Sequence, residues 1–379
     1  MSDDHSSPAG VASRRDEMAA KLGALRSWLD RQSLEAVLIG SQAGFAWVTA
    51  GGESHVSLGQ DAGAASVLVT MHDAFVLTAN IELARFLDEQ VAGLGLTPEE
   101  WPWHEPDGAR ALVERLCRAD RAVSDLGLHG LAPAPPGLAQ LRHTLLPSEV
   151  GRYRHLGADA AEAVETTCRA ARPGDSELDV AARLASECRR RDILPLVNLV
   201  GADGRIDRYR HPLPTTHRLE RVVLVALTGR RHGLHASLTR MVVFGPPDEE
   251  RAARHRAVAR VDARMLLESR PGAPLAAVLA AGLEQYETEG FAGQWRLHHQ
   301  GGLTGYAGRE VFATPSAEHI LQAAQAVAWN PSITGTKSED TAFVTDGGPQ
   351  LLTRSAGWPL GRVEVAQGAV DRPLILSAE

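Results

Sequence analysis

Fifteen histidines are spread along this 379-residue chain, and a few stand in settings suited to proton transfer or ligation. His211 lies in the stretch Arg210-His211-Pro212-Leu213-Pro214-Thr215. An imidazole titrates near neutral pH and can take up and return a proton. His298 and His299 precede a glycine-rich stretch, Gly301 to Gly305. In an extended chain adjacent side chains point to opposite faces, so one of the two is expected to enter a pocket there. The glycines could cradle an anion, though their order is not that of a phosphate-binding loop. Arg309-Glu310 follows closely, and farther on Lys337 stands two residues before Glu339. At that spacing Lys337 could neutralise Glu339 or bind a carboxylate.

A strand hairpin is needed to gather such groups. Val222 to Leu227 and Leu234 to Val243 read as strands, with Gly229 and Gly233 assigned to the turn between them. Alternation puts residues 226 and 228 on one side of the first strand and 235, 237 and 239 on one side of the second. Thr228, His235, Ser237 and Thr239 are therefore expected to share a polar face. Buried polar groups are costly unless paired. Such a face is either a self-satisfied hydrogen-bond network or a pocket for a small polar substrate.

The remaining pattern is that of two α/β domains, the size expected for a chain too long for one ordinary core. Residues 1–14 are polar and read as a disordered tail. Residues 15–146 form the first domain: a helix from Arg15 to Gln32, strands near Ala36–Ile39, Ala65–Thr70 and Ala74–Thr78, and a helix over Ile81–Val91. Pro133, Pro135, Pro136 and Gly137 mark the connection onward. Residues 147–379 form the second domain. It opens with a helix closed by Pro173-Gly174 and a second helix capped by Ser176, three before Asp179. A strand over Leu196–Val200, the hairpin, helices over Glu249–Glu268 and Pro274–Glu289, and a strand-rich tail follow.

Hydrophobic residues make up 44% and charged residues 23%, as in an ordinary globular protein. The net charge of −8 offers no basic surface for nucleic acid. No apolar run is long enough to span a membrane, and no signal peptide is recognised, so a cytoplasmic location is expected. Three cysteines, Cys117, Cys168 and Cys188, argue against a disulfide framework and read as small apolar side chains.

Five segments in order resemble the pita-bread family of aminopeptidase P, prolidase and creatinase. They are Glu149 to Leu184, Arg210 to Thr215, the hairpin Val223 to Gly245 with Ser237-Leu238-Thr239-Arg240, Ala328-Trp329-Asn330-Pro331, and Ser338-Glu339-Asp340-Thr341. The first domain, with Trp47-Val48-Thr49, is similar to the creatinase N-terminal domain. The resemblance implies a C-terminal pita-bread domain, a smaller creatinase-like α/β domain before it, and a homodimer. It also implies a dinuclear metal site built from two aspartates, a histidine and two glutamates.

Those five positions fall here on Ala226, Ser237, Gly302, Asn330 and Glu339. One carboxylate cannot offset the repulsion between two divalent cations, and alanine and glycine supply no ligand. No metal and no cofactor are therefore expected, although His235, His299 and Glu339 together have possible ligand types. The resemblance implies metal-independent hydrolysis of a C–N bond in a small amino-acid-like or amidine-like substrate. His211 and Glu339 would be catalytic. Thr228, His235, Ser237, Thr239, His299, Arg309, Asn330 and Lys337 would bind the substrate. The alternatives are a non-catalytic peptidase-like binding protein and an Xaa-Pro-type metallopeptidase.

Overall fold

The computed structural model describes residues 8–246 and 248–378. The chain divides into two units. Met1–Arg142 with Leu146–Glu149 form the first, and His143–Leu145 with Val150–Glu379 form the second.

In the first unit a six-stranded sheet runs in the order Thr97–Trp101, Ala74–Ala79, Ala62–Thr70, Ala36–Ser41, Ala122–Ser124, Ala132–Pro133. The long opening helix, Pro8–Gln32, buries Met18, Leu22, Leu25 and Leu29 at three- and four-residue steps. Three expectations need correction here. The tail read as disordered lies partly at residues 1–7, outside the described residues, but residues 8–14 are already helical. Proline suits a helix start, and Arg14 fastens this turn by donating to the carbonyls of Thr49 and Gln90. The helix expected over 81–91 is a single α turn, Leu83–Arg85, running into a wider π turn, Phe86–Gln90. Pro133 belongs to the last strand of the sheet, which accepts a proline because its outer edge needs no donor.

The second unit is organised around the hairpin of Val222–Arg231 and Leu234–Phe244. Register runs Val222↔Val243 through Arg231↔Leu234, which leaves His232-Gly233 as a two-residue turn. Both have positive φ, 52° and 77°, the requirement of the mirror-image turn that matches strand twist. Gly229 is therefore inside the strand, opposite Ala236, and not in the turn. There a Cβ would meet the Ile193 side chain at 2.6 Å, so the glycine serves close approach. The hairpin joins the strands Leu194–Ala202 and Leu376–Ala378 in a four-stranded sheet.

A second sheet of five strands has Gly301–Thr304, Ala326–Trp329 and Asp340–Phe343 at its centre. The helices Glu249–Glu268 and Leu275–Thr288 cover it with Val261, Met265, Leu266, Val278 and Leu279, which pack with Leu303, Val327 and Trp329. The two sheets meet where Thr239 bridges Glu339 and where the Thr341 hydroxyl accepts from the Ser237 amide at 2.8 Å. A charged network lies beneath. Arg372, with no exposed surface, pairs with Asp262 and, at 2.7 Å, with Asp340, which Arg240 also reaches at 2.9 Å.

His255 is buried beside this network, with Nε2 donating to the Pro373 carbonyl at 2.9 Å and Nδ1 facing the Thr336 hydroxyl at 2.8 Å. Burial pushes its pKa down to about 4, helped by Arg372, Arg240 and Arg256 and opposed by the Pro373 bond. A histidine depressed in the folded state stabilises fully above its unfolded value near ~6.5 and loses that contribution as pH falls towards the folded value. The fold should therefore lose about 2 kcal/mol from this group between pH 7.5 and 5. Urea denaturation at both pH values should show that component in the wild type and not in His255→Gln.

Candidate active site

The edges of the two sheets enclose a cavity of about 320 Å³ lined by His211, Ala226, Thr228, His235, His299, Arg309, Asn330, Lys337 and Glu339, together with Leu196, Val197 and Gly308. Hairpin register explains part of this lining. Thr228 sits opposite Ser237, Ala226 opposite Thr239, and Arg230 opposite His235. The polar face expected from alternation is present, but it is divided. Thr228 and Ser237 share a hydroxyl–hydroxyl bond of 2.9 Å, and Ser237 lies behind Thr228 with no exposed surface. Thr239 donates to a Glu339 carboxylate oxygen at 2.6 Å. Ser237 and Thr239 therefore support the cavity wall and do not line it.

Glu339 is the electrostatic centre. Lys337 Nζ stands 2.7 Å from one of its oxygens and Arg309 Nη2 is 3.7 Å from the other. Burial alone would raise this carboxyl; Lys337 and Arg309, with bonds from Lys337 and Thr239, outweigh it and hold it below the usual carboxylate range. Lys337 is inside and paired because it ends the short strand Thr336–Lys337. Asn330 follows the strand Ala326–Trp329 and is 2% exposed. Its Oδ1 has no hydrogen-bond partner, nor has Nε of Arg309. An acceptor and a donor are thus uncommitted in the cavity wall.

The histidines depart from expectation. His298 and His299 do not part to opposite faces; their rings stack at 4.5 Å with 25° between planes. His298 follows a 3-10 turn, Gln294–Leu297, with extended backbone angles, φ −157° and ψ 144°, and of the two only His299 lines this cavity. His298 Nε2 faces His211 Nε2 at 2.9 Å, so His298, missed as a site residue, backs His211. Burial lowers all three pKa values, that of His298 to about 2 and that of His299 to about 4. Lys337 adds to the lowering in each, and Arg309 in His299. Among the described residues, the ligating atoms that converge are those of His211, His298 and His299, not those of His235, His299 and Glu339.

The profile of metallopeptidase family M24 matches residues 151–346, just over half of the chain. The chain belongs to metallopeptidase family M24. This is a hydrolase family, and the second unit has its pita-bread fold. No curated protein matches the sequence. Among solved structures, the dipeptidase PepE from Mycobacterium ulcerans is 20% identical, with a TM-score of 0.73 over 90% of this chain and 96% of that one. The prolidase from Pyrococcus horikoshii is 16% identical, with a TM-score of 0.74 over 89% and 98%. The N-terminal domain of the FACT complex subunit SPT16 from chickpea is 12% identical, with a TM-score of 0.65 over 91% and 96%. At these identities the likeness is one of fold.

The side chains present do not fit the dinuclear centre that the sequence resemblance to this family implies. Ala226 offers no ligand. Ser237 is committed to Thr228. Gly302 has φ of 146°, and a Cβ there would sit 2.1 Å from the Val311 carbonyl, so this backbone has no room for a histidine. The Glu339 charge is already met by an ammonium. Removing one partner of a buried pair costs roughly 3–5 kcal/mol. Lys337→Met should lose about 3 kcal/mol in urea denaturation, and Lys337→Met/Glu339→Gln clearly less than the sum of the single changes. Additive losses would mean that the two residues do not depend on each other.

Proposed function

We propose that this chain is a hydrolase that cleaves a C–N bond in a small amino-acid-like or amidine-like substrate without the dinuclear centre of its family. The observation that carries this reading is the Lys337–Glu339 contact of 2.7 Å. It places a fixed cation of the chain's own beside the retained carboxylate, where a metal would need that carboxylate free. The cavity of about 320 Å³ suits a small substrate better than an extended peptide.

In this reading His211 is the general acid and base. Its imidazole lines the cavity, and His298 Nε2 at 2.9 Å fixes its orientation. The unpartnered Asn330 Oδ1 accepts an N–H of the substrate. Arg309 and Lys337 carry two positive charges against the single charge of Glu339, an excess that attracts a substrate carboxylate and stabilises a developing oxyanion. Glu339 orients substrate or water, and Thr228, His235 and His299 complete the polar wall.

Two other readings stay in the test. Family membership favours an Xaa-Pro-type metallopeptidase, and the fold shared with the SPT16 domain suits a binding protein. The test is a hydrolysis screen of small amides, amidines and Xaa-Pro dipeptides, using protein dialysed against chelator and then with Mn²⁺ or Co²⁺ restored. Turnover of a small C–N substrate should survive chelation, and His211→Ala should lower it by roughly 10²–10⁴ with an unchanged circular dichroism spectrum. Turnover confined to Xaa-Pro dipeptides with added metal would replace this reading by the metallopeptidase. Small-molecule binding without turnover would replace it by the binding protein.

A further inference from the structure

We propose that His211, His298 and His299 form a site for one late first-row divalent cation, zinc foremost, away from the five positions of the family's centre. One ligating atom from each of the three lies within 4.8 Å of the others. Zinc–nitrogen bonds of about 2.0–2.1 Å put nitrogens roughly 3.3 Å apart in a tetrahedron. The rings therefore need to close by about 1.5 Å at most.

The setting allows that closure. His298 is buried, 8% exposed, and serves as the fixed member. His211 and His299 are reached by solvent and can turn toward it. His298 Nε2 and His211 Nε2 already face each other at 2.9 Å, an arrangement in which only one of the two can carry a proton. A cation takes both lone pairs. The His298 Nδ1 has no hydrogen-bond partner, so the neutral ring can carry its proton there and leave Nε2 free for a cation. Three imidazoles with no carboxylate among them select zinc, copper or nickel and reject magnesium and calcium. The fourth position opens on solvent. His299 borders the cavity described above, and on their other side His298 and His299 border a second cavity of about 400 Å³.

The site stands whether or not the chain is a hydrolase. If it is one, a bound cation takes the His211 nitrogen that now faces His298 and ties down the imidazole, and zinc acts as an inhibitor. Binding is therefore read without turnover, so that its failure and the failure of the hydrolase reading remain separate. Untagged protein is dialysed to equilibrium against Zn²⁺, and metal per chain is counted by mass spectrometry. The visible spectrum of the Co²⁺ form reports the geometry. The expected result is one Zn²⁺ per chain, tetrahedral Co²⁺ bands, and no competition from excess Mg²⁺. His211→Ala and His298→Ala should each weaken binding at least tenfold, and Asn330→Ala should leave it unchanged. Should His298→Ala fail to fold, His211→Ala on its exposed loop carries the same test. No zinc uptake, uptake indifferent to His211→Ala, or two zinc ions lost together in Asn330→Ala would each overturn the proposal.

Discussion

A carboxylate taken out of water must be given a countercharge, and in the second unit Glu339 imposes that demand on its surroundings. Lys337 answers it from two residues away, Thr239 from the neighbouring strand, and Arg309 from the segment after the glycine-rich strand. At three of the other four positions that the sequence resemblance gives to the family's centre, the side chain is committed to local structure. Ala226 packs in the apolar cluster with Leu199 and Leu224, Ser237 closes a hydroxyl pair with Thr228, and Gly302 lets the Val311 backbone come close. Asn330 alone keeps an uncommitted polar atom.

Much of this was legible in the sequence where one local rule acts alone. The capping box of Ser176 and Asp179, the helix Glu249–Glu268 and the alternation along Val222–Phe244 follow from spacing, and the structure has them. Rules in competition were harder to read. Gly229 resembled a turn residue because glycine marks turns and close approaches alike; only the register shows which. Lys337 could have faced solvent on spacing alone, because a two-residue strand gives no periodicity to count. His298 and His299 stack although His298 is itself extended, and an argument from extended chains sends their rings apart. Thr341, which holds Ser237, was within reach: it stands two residues after Glu339 and so shares its side of the strand.

The pita-bread architecture is shared with dipeptidases and prolidases at 16–20% identity, while the site has a lysine–glutamate pair at its centre and three stacked or facing imidazoles at its rim. Sheets and helices of this kind tolerate such exchange because the site hangs on strand ends and on the segments between them, and the core sits beneath.

Arg372 carries a consequence for how the protein is made. Asp262 finds its guanidinium only on the late strand Gly368–Pro373, whereas Asp340 also has Arg240, and the strand Leu376–Ala378 joins the hairpin sheet. A ribosome delivers the chain from its N-terminus, so Asp262 emerges well before Arg372 does. Until then Asp262 has no guanidinium beside it, and the strand Leu234–Phe244 lacks its parallel neighbour. The second unit thus draws on residues 368–378 both to neutralise Asp262 and to extend its hairpin sheet.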